Sequence, residues 1–182
     1  MENLKKNIWK STMESGGILG FVLILFSYVL YLQNTDLNSE YSWFSFVILI
    51  AGIVLGTKKY TKENPSVIIS YKRTFFCGVL ISFFSAFILG FYNFILFEII
   101  DTELMHKIIV SMEEELIITK MTEEQIEMIS AFYKKIITPT IMAFGTLFSM
   151  TFLGTIFSLI TAHVLKTDNK IKDPFDKDMK NI

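Results

Sequence analysis

DTELMHKIIVSMEEELIITKMTEEQIEMISAFYKKI, residues 101–136, is the stretch whose reading decides the fold. It is an acidic, helix-patterned excursion between two long apolar segments, and every other break between apolar segments is much shorter. Two helices are legible in it. In the first, Leu104, Met105, Ile108, Ile109, Met112 and Leu116 share one arc at the helical period. Glu103, Lys107, Glu113 and Glu114 take the other side, with Glu115 at the border and Glu103 and Lys107 spaced to pair at i, i+4. Thr122-Glu123-Glu124-Gln125 then reads as a capping box, with Met121 and Ile126 as its hydrophobic staple. In the second helix Ile126, Ile129, Phe132, Tyr133 and Ile136 form the apolar face, and Glu123, Glu127 and Lys134 the polar one. Acids in its first turn and Lys134 and Lys135 in its last both suit the helix dipole.

Neither helix is long or apolar enough to cross a bilayer, so each stripe has to be buried elsewhere. The stripes have four places to go: each other, the outer ends of the bundle, the membrane interface, or a partner. A hairpin folded onto its own bundle is the simplest of these, and the acidic polar face disfavours lying in the interface. Ile108, Met112, Leu116, Ile129, Phe132 and Ile136 are the candidate partner-facing or bundle-docking stripe.

Outward from the excursion lie four apolar spans, at about 16–32, 41–56, 75–99 and 139–165. The first, GGILGFVLILFSYVLYL, has no charge and just reaches across a hydrocarbon core of about 30 Å. It follows Lys5, Lys6, Lys10 and Trp9, and no small-residue cleavage site ends it, so an uncleaved span is expected rather than a signal peptide. The second is opened by Tyr41 and Trp43 and closes on Gly52-x-x-x-Gly56, a spacing common where helices pack closely in lipid. Residues 57–74 are a basic loop with a turn at Asn64-Pro65.

In the third span small residues recur every four positions, at Gly78, Ser82, Ala86 and Gly90. That spacing lays them along one ridge, which is best explained by a neighbouring helix at close range. The fourth, opened by Pro139 with Thr138 as its cap, carries a second ridge of Gly154, Ser158 and Ala162, and the pair Gly145 and Ser149. Residues 1–165 are therefore a single four-helix transmembrane domain, and 166–182 a polar, solvated tail.

Lysine and arginine are concentrated before the first span, in 57–74 and in the tail, and the 33–40 connection has none. The excursion has four lysines against eight acids. By the positive-inside rule both termini face the cytoplasm and the excursion is extracytoplasmic. Alternation over four spans gives the same topology. The expected fold is an all-α membrane protein, N-in and C-in, with an extracytoplasmic amphipathic hairpin between helices 3 and 4.

Composition agrees: hydrophobic residues are 52% and charged ones 19%, below the roughly 25% charge of globular chains. A net charge of −1 leaves no basic excess for phosphates, so nucleic acid is not an expected partner. The single Cys77 excludes an internal disulfide and a CxxC metal site.

No ionisable residue falls at mid-span; Glu98 and His163 sit near span ends, and Asn93 is expected to hydrogen-bond between helices. His106 and His163 lie on opposite sides of the expected membrane, and the glutamate clusters lack the spacing and glycine of a calcium loop. No nucleophile elbow, zinc-protease or P-loop motif is present. No catalytic residue, cofactor or metal ligand is therefore expected.

Gly52–Tyr60 (GIVLGTKKY) and Ile69–Phe75 (ISYKRTF), leading into Gly78, Ser82 and Tyr92, carry a resemblance. With the acidic helical stretch and the fourth span, the chain over roughly 8–166 resembles the uncharacterised four-helix bacterial membrane proteins of the domain-of-unknown-function 4199 family. The resemblance implies a bacterial inner membrane and a periplasmic excursion, and no activity. Function is expected to be that of a non-enzymatic structural or regulatory subunit acting through helix packing and its hairpin. Its partners would be the lipid bilayer, another membrane or periplasmic protein, or a second copy of itself. The alternative is a small oligomeric channel or transporter.

Overall fold

The structure, a computed structural model, describes residues 2–33, 43–63, 71–118 and 121–168, with side chains from Ile8 to Leu165. Among them there are six α-helices and no strand. The order is α1 (Glu2–Leu32), α2 (Phe44–Glu63), α3 (Tyr71–Ile95) continued by a π-helical turn (Leu96–Ile100), α4 (Glu103–Ile118), α5 (Glu123–Ile136) and α6 (Pro139–Asp168). Four segments are long and apolar enough to cross a membrane: Ile8–Leu32, Phe44–Glu63, Tyr71–Ile100 and Pro139–Leu165. By helix length and composition this is a multi-pass membrane protein, with α4 and α5 between its third and fourth spans. The Asn64-Pro65 turn, nearly all of the 33–40 connection and the tail beyond 168 lie outside the described residues.

The helices run past the apolar spans from which they were expected. α1 has 31 residues, roughly 46 Å of helix, and begins well before residue 16. α2 continues through Lys58, Lys59 and Lys62, so much of the expected 57–74 loop is helical. The reason is that hydropathy marks where hydrocarbon ends, whereas a formed helix gains a hydrogen bond with each added residue, polar or not.

α3 is the axle. It is more buried than any other span and packs against α1, α2 and α6. α1 runs parallel to it, with Gly16 against Ile81 and Phe84 and Gly20 against Ile88. α6 runs antiparallel to it, with Gly78 against Ser158, Ser82 against Gly154 and Gly90 against the Ala143 carbonyl. α2 closes the bundle by touching both α1 and α6 and reaching α3 across the diagonal. Leu49, Ile53, Ile81, Ala86 and Leu89 fill the space between them.

Inside lipid, backbone and hydroxyl groups have no water to bond, so each must be satisfied within the protein. The ridge serines do this locally. Ser82 Oγ donates to the Gly78 carbonyl at 3.1 Å and Ser158 Oγ to the Gly154 carbonyl at 2.6 Å. Each hydroxyl is thereby closed onto its own helix, and its methylene is free to meet the opposite glycine. Ala86 and Ala162 are fully buried, while Gly145 has open space around it and Ser149 is exposed, so that pair lies away from the packed faces. Asn93 donates to Thr146 Oγ1 at 3.1 Å, a bond between α3 and α6.

A methyl group added at Gly78 would stand 2.5 Å from Ser158 Oγ and 2.9 Å from its Cβ. Gly78→Ala is therefore expected to destabilise the fold by about 1–3 kcal/mol through overpacking. Gly145→Ala meets nothing within 4 Å and should be neutral, or stabilise by up to about 1 kcal/mol from helix propensity. Ala86→Leu should behave like Gly78→Ala, and Phe83→Leu, on an outer face, like Gly145→Ala. Denaturation of the four variants in one detergent checks this; equal behaviour would remove the ridge from the account.

Candidate functional site: a polar cluster and the helical hairpin

Two regions combine several polar groups with a defined geometry, one at each end of the bundle. The first lies where α1 and α3 begin and α2 ends. Tyr60 is 1% exposed, and its hydroxyl accepts a hydrogen bond from Arg73 Nε at 2.7 Å. The guanidinium also stands 5.7 Å over the Tyr60 ring. A charge-assisted bond of this kind contributes about 1.5–3 kcal/mol, and it joins the end of α2 to the start of α3. Beside it, Ser11 Oγ donates to Glu63 Oε2 at 3.0 Å, and Lys59 Nζ lies 2.7 Å from Glu14 Oε1 and 3.9 Å from Glu63 Oε1. Both ion pairs are partly exposed and screened by solvent, so they add little to stability; Lys59–Glu14 joins α2 to α1, while Lys59–Glu63 lies one turn apart within α2.

The second region is the junction of the bundle with α4 and α5. α3 ends in a wide turn, in which the Asp101 N–H bonds to the Leu96 carbonyl at 2.8 Å. Leu96 and Phe97 are buried there with Met105 and Ile108 of α4, and Tyr31, Leu104, Met112 and Ile137 pack around them. Asp101 ties the junction together. Its Oδ1 accepts from the Leu104 N–H at 3.1 Å, and its Oδ2 accepts from the Tyr31 hydroxyl at 3.2 Å and lies 3.9 Å from Lys107 Nζ. The start of α4 is thus capped and tied to the end of α1.

α5 begins on the expected capping box: Thr122 Oγ1 accepts from the Gln125 N–H and Gln125 Oε1 accepts from the Thr122 N–H. Thr138 caps α6 by accepting from the Ile141 N–H at 3.3 Å, without a returning side-chain bond. Between α4 and α5 the polar link is Glu113, which lies 3.3 Å from Lys134 Nζ. The Ser130 hydroxyl, and next the Lys134 ammonium, hold the Glu113 carboxyl below its ordinary value.

The candidate stripe divides. Ile108 is buried in the junction, and Met112, Leu116 and Ile129 are half-buried. Phe132 and Ile136 are exposed, as are Met128, Ile117 and Ile118. Sequence reasoning missed the face of α1 that meets α3, although the spacing Gly16-x-x-x-Gly20 signals it. It also missed Tyr60–Arg73, Lys59–Glu14 and Tyr31–Asp101, which have no one-dimensional signal. Among the described residues, no three His, Cys, Asp or Glu side chains are grouped as a metal site requires.

The family model of the proteins of unknown function DUF4199 matches residues 14–167, and the chain belongs to that family. No curated protein and no solved structure matches the chain. Gly52–Tyr60, which carried the resemblance in sequence, meets Arg73 of the second such stretch in the polar cluster.

The shift at Glu113 has a definite sign. A carboxyl whose folded value is depressed adds stability that is present above its unfolded value and lost as pH falls through the folded one. Acidification from neutral pH to below the ordinary carboxylate range is therefore expected to loosen α5 from α4. Hydrogen exchange of the α5 amides reads this directly. Glu113→Gln should show faster exchange at neutral pH and less change on acidification. An acid response of the variant equal to that of the parent would assign the effect to other carboxylates.

Proposed function

We propose that this protein is a non-enzymatic subunit of a bacterial inner membrane that engages a second membrane or periplasmic protein through α5. The observation that carries the reading is the unequal burial of the hairpin. α4 is set against the end of the bundle through Met105 and Ile108, whereas α5 keeps Phe132 59% and Met128 69% exposed. Exposed aromatic and methionine side chains are the usual anchors of a protein interface. Glu123, Glu124 and Glu127 lie on the same short helix, which suits an apolar groove with a basic rim on the partner.

The lysines support the orientation. Lys10, Lys58, Lys59, Lys62, Lys72 and Arg73 all belong to the end of the bundle at which α1 and α3 begin and α2 ends. That end is assigned to the cytoplasm and the hairpin to the periplasm. Leu49, Ile53 and Ile81 occupy the interior, so a solute would have to pass between copies of the chain rather than through one.

Phe132→Ser should abolish crosslinking of the hairpin to one stoichiometric partner without changing thermal stability; charge reversal of Glu123, Glu124 and Glu127 should abolish it too, with some loss of α5 helicity because the first two stabilise its first turn. Solute flux through the purified protein in liposomes, with no partner present, would overturn the reading in favour of a channel. Orientation is tested with Glu114→Cys, since Glu114 is exposed on α4. An impermeant maleimide is expected to label it in cells with a permeabilised outer membrane. Protection until the inner membrane is broken would invert the topology.

A further inference from the structure

α5 carries charge of both signs, separated along its length: Glu123, Glu124 and Glu127 toward its start, Lys134 and Lys135 in its last turn. Its covered side holds Ser130, which is buried, and Ile126, Ile129 and Tyr133, which are half-buried. At the helical period Glu124, Met128, Ala131 and Lys135 fall on the opposite side, and all four are exposed. Among the described residues neither Glu124 nor Lys135 belongs to an ion pair, whereas Lys134 lies 3.3 Å from Glu113.

The order of this stripe is its own complement. Glu124 and Lys135 stand equally far from a midpoint between Ile129 and Ser130, and so do Met128 and Ala131. We propose, resting on the reading of α5 as the interface, that its partner is a second copy of this chain, joined through an antiparallel α5 pair about a two-fold axis at that midpoint. Each Glu124 then meets the partner's Lys135, and each Met128 meets the partner's Ala131.

The charges choose this register. In it opposite signs meet twice, whereas a parallel pair would set Glu124 against the partner's Glu124 and Lys135 against the partner's Lys135. Size agrees, since Met128 fills the gap that the partner's Ala131 leaves. Phe132, on the flank of the stripe, comes beside the partner's Met128 in a thioether–aromatic contact.

Two copies inserted the same way into one membrane share an axis along its normal, so an antiparallel pair lies across that normal. Non-helical residues separate the hairpin from both spans and permit this: Asp101 at φ −138°, ψ 84° before α4, and Ile137 at φ −77°, ψ 85° after α5. A single pair of short helices is a small interface, but confinement of both chains to one membrane in one orientation raises their effective concentration.

The test is energy transfer between full chains labelled with donor or acceptor at the amino terminus, in liposomes, followed as added lipid dilutes them. Glu124→Lys alone and Lys135→Glu alone should each weaken self-association about tenfold. A mixture of the two variants should restore it, because both contacts are again of opposite sign, and that restoration also shows both variants to be folded. Register is read by disulfide formation: Glu124→Cys mixed with Lys135→Cys should crosslink, and neither variant with itself. Three results would each overturn the inference: a monomeric parent chain, no restoration in the mixture, or Glu124→Cys linking to itself. Should the chain be monomeric while its hairpin still crosslinks in cells to a different protein through Phe132, the inference falls and the reading of α5 as an interface stands. If neither pairing nor crosslinking depends on Phe132, both fall.

Discussion

Gly78 faces Ser158 and Gly154 faces Ser82, and the rest of the bundle depends on how closely those two pairs let α3 and α6 approach. Water drives apolar surfaces together in a soluble protein, but two helices in a bilayer exchange lipid contacts for protein contacts of the same chemistry. What remains is dispersion, which is strong only at contact and falls away within an ångström. A pair of helices held apart by larger side chains would gain little over the lipid it displaced. Glycine on one helix and a serine closed onto its own backbone on the other remove that obstacle while leaving no polar group unpaired. Between α1 and α3 glycine again permits close approach, with Gly16 against Ile81 and Phe84 and Gly20 against Ile88, so α3 is gripped on two sides.

Once α3 is fixed, its two ends position everything else. At its start, Arg73 lies across Tyr60 and brings the end of α2 against the first turn of α3. At its finish, the wide turn at Leu96–Ile100 changes the direction in which Leu96 and Phe97 point, and so provides the seat for Met105 and Ile108. Asp101 then fixes α4 relative to α1 through Tyr31. Both polar regions are thus consequences of a rigid central helix and not independent additions to it.

Features carried by a local period were legible in the sequence. The four spans follow from hydropathy, the break between α4 and α5 from Thr122 and Gln125, and the start of α6 from Thr138 and Pro139. Features that depend on which helix comes to lie beside which were not. Lys59 and Glu14 are 45 residues apart, and Tyr31 and Asp101 are 70 apart; nothing in either neighbourhood names the partner. The wide turn at 96–100 escaped for another reason, since LFEII has no proline or glycine and its backbone is set by tertiary packing. Hydropathy also placed the helix ends too early, because the polar turns at Lys58–Glu63 stay helical beyond the apolar run.

The two ends of the bundle differ in how firmly they are held, and this difference separates structural from interactive surface. Around Tyr60, itself buried, the contacts join three spans, so displacing any one of them would disturb the others. α5 has a cap at its start, a polar link through Glu113 and only partial burial of Ile129 and Tyr133. Its apolar side chains Met128 and Phe132 gain nothing from that arrangement, and keeping them out of contact costs roughly 1.5–3 kcal/mol each relative to full burial. A helix with weak ties and unspent apolar surface is the element whose rearrangement the rest of the fold opposes least. Any partner that covers Phe132 gains that burial without breaking the glycine and serine contacts on which α3 depends.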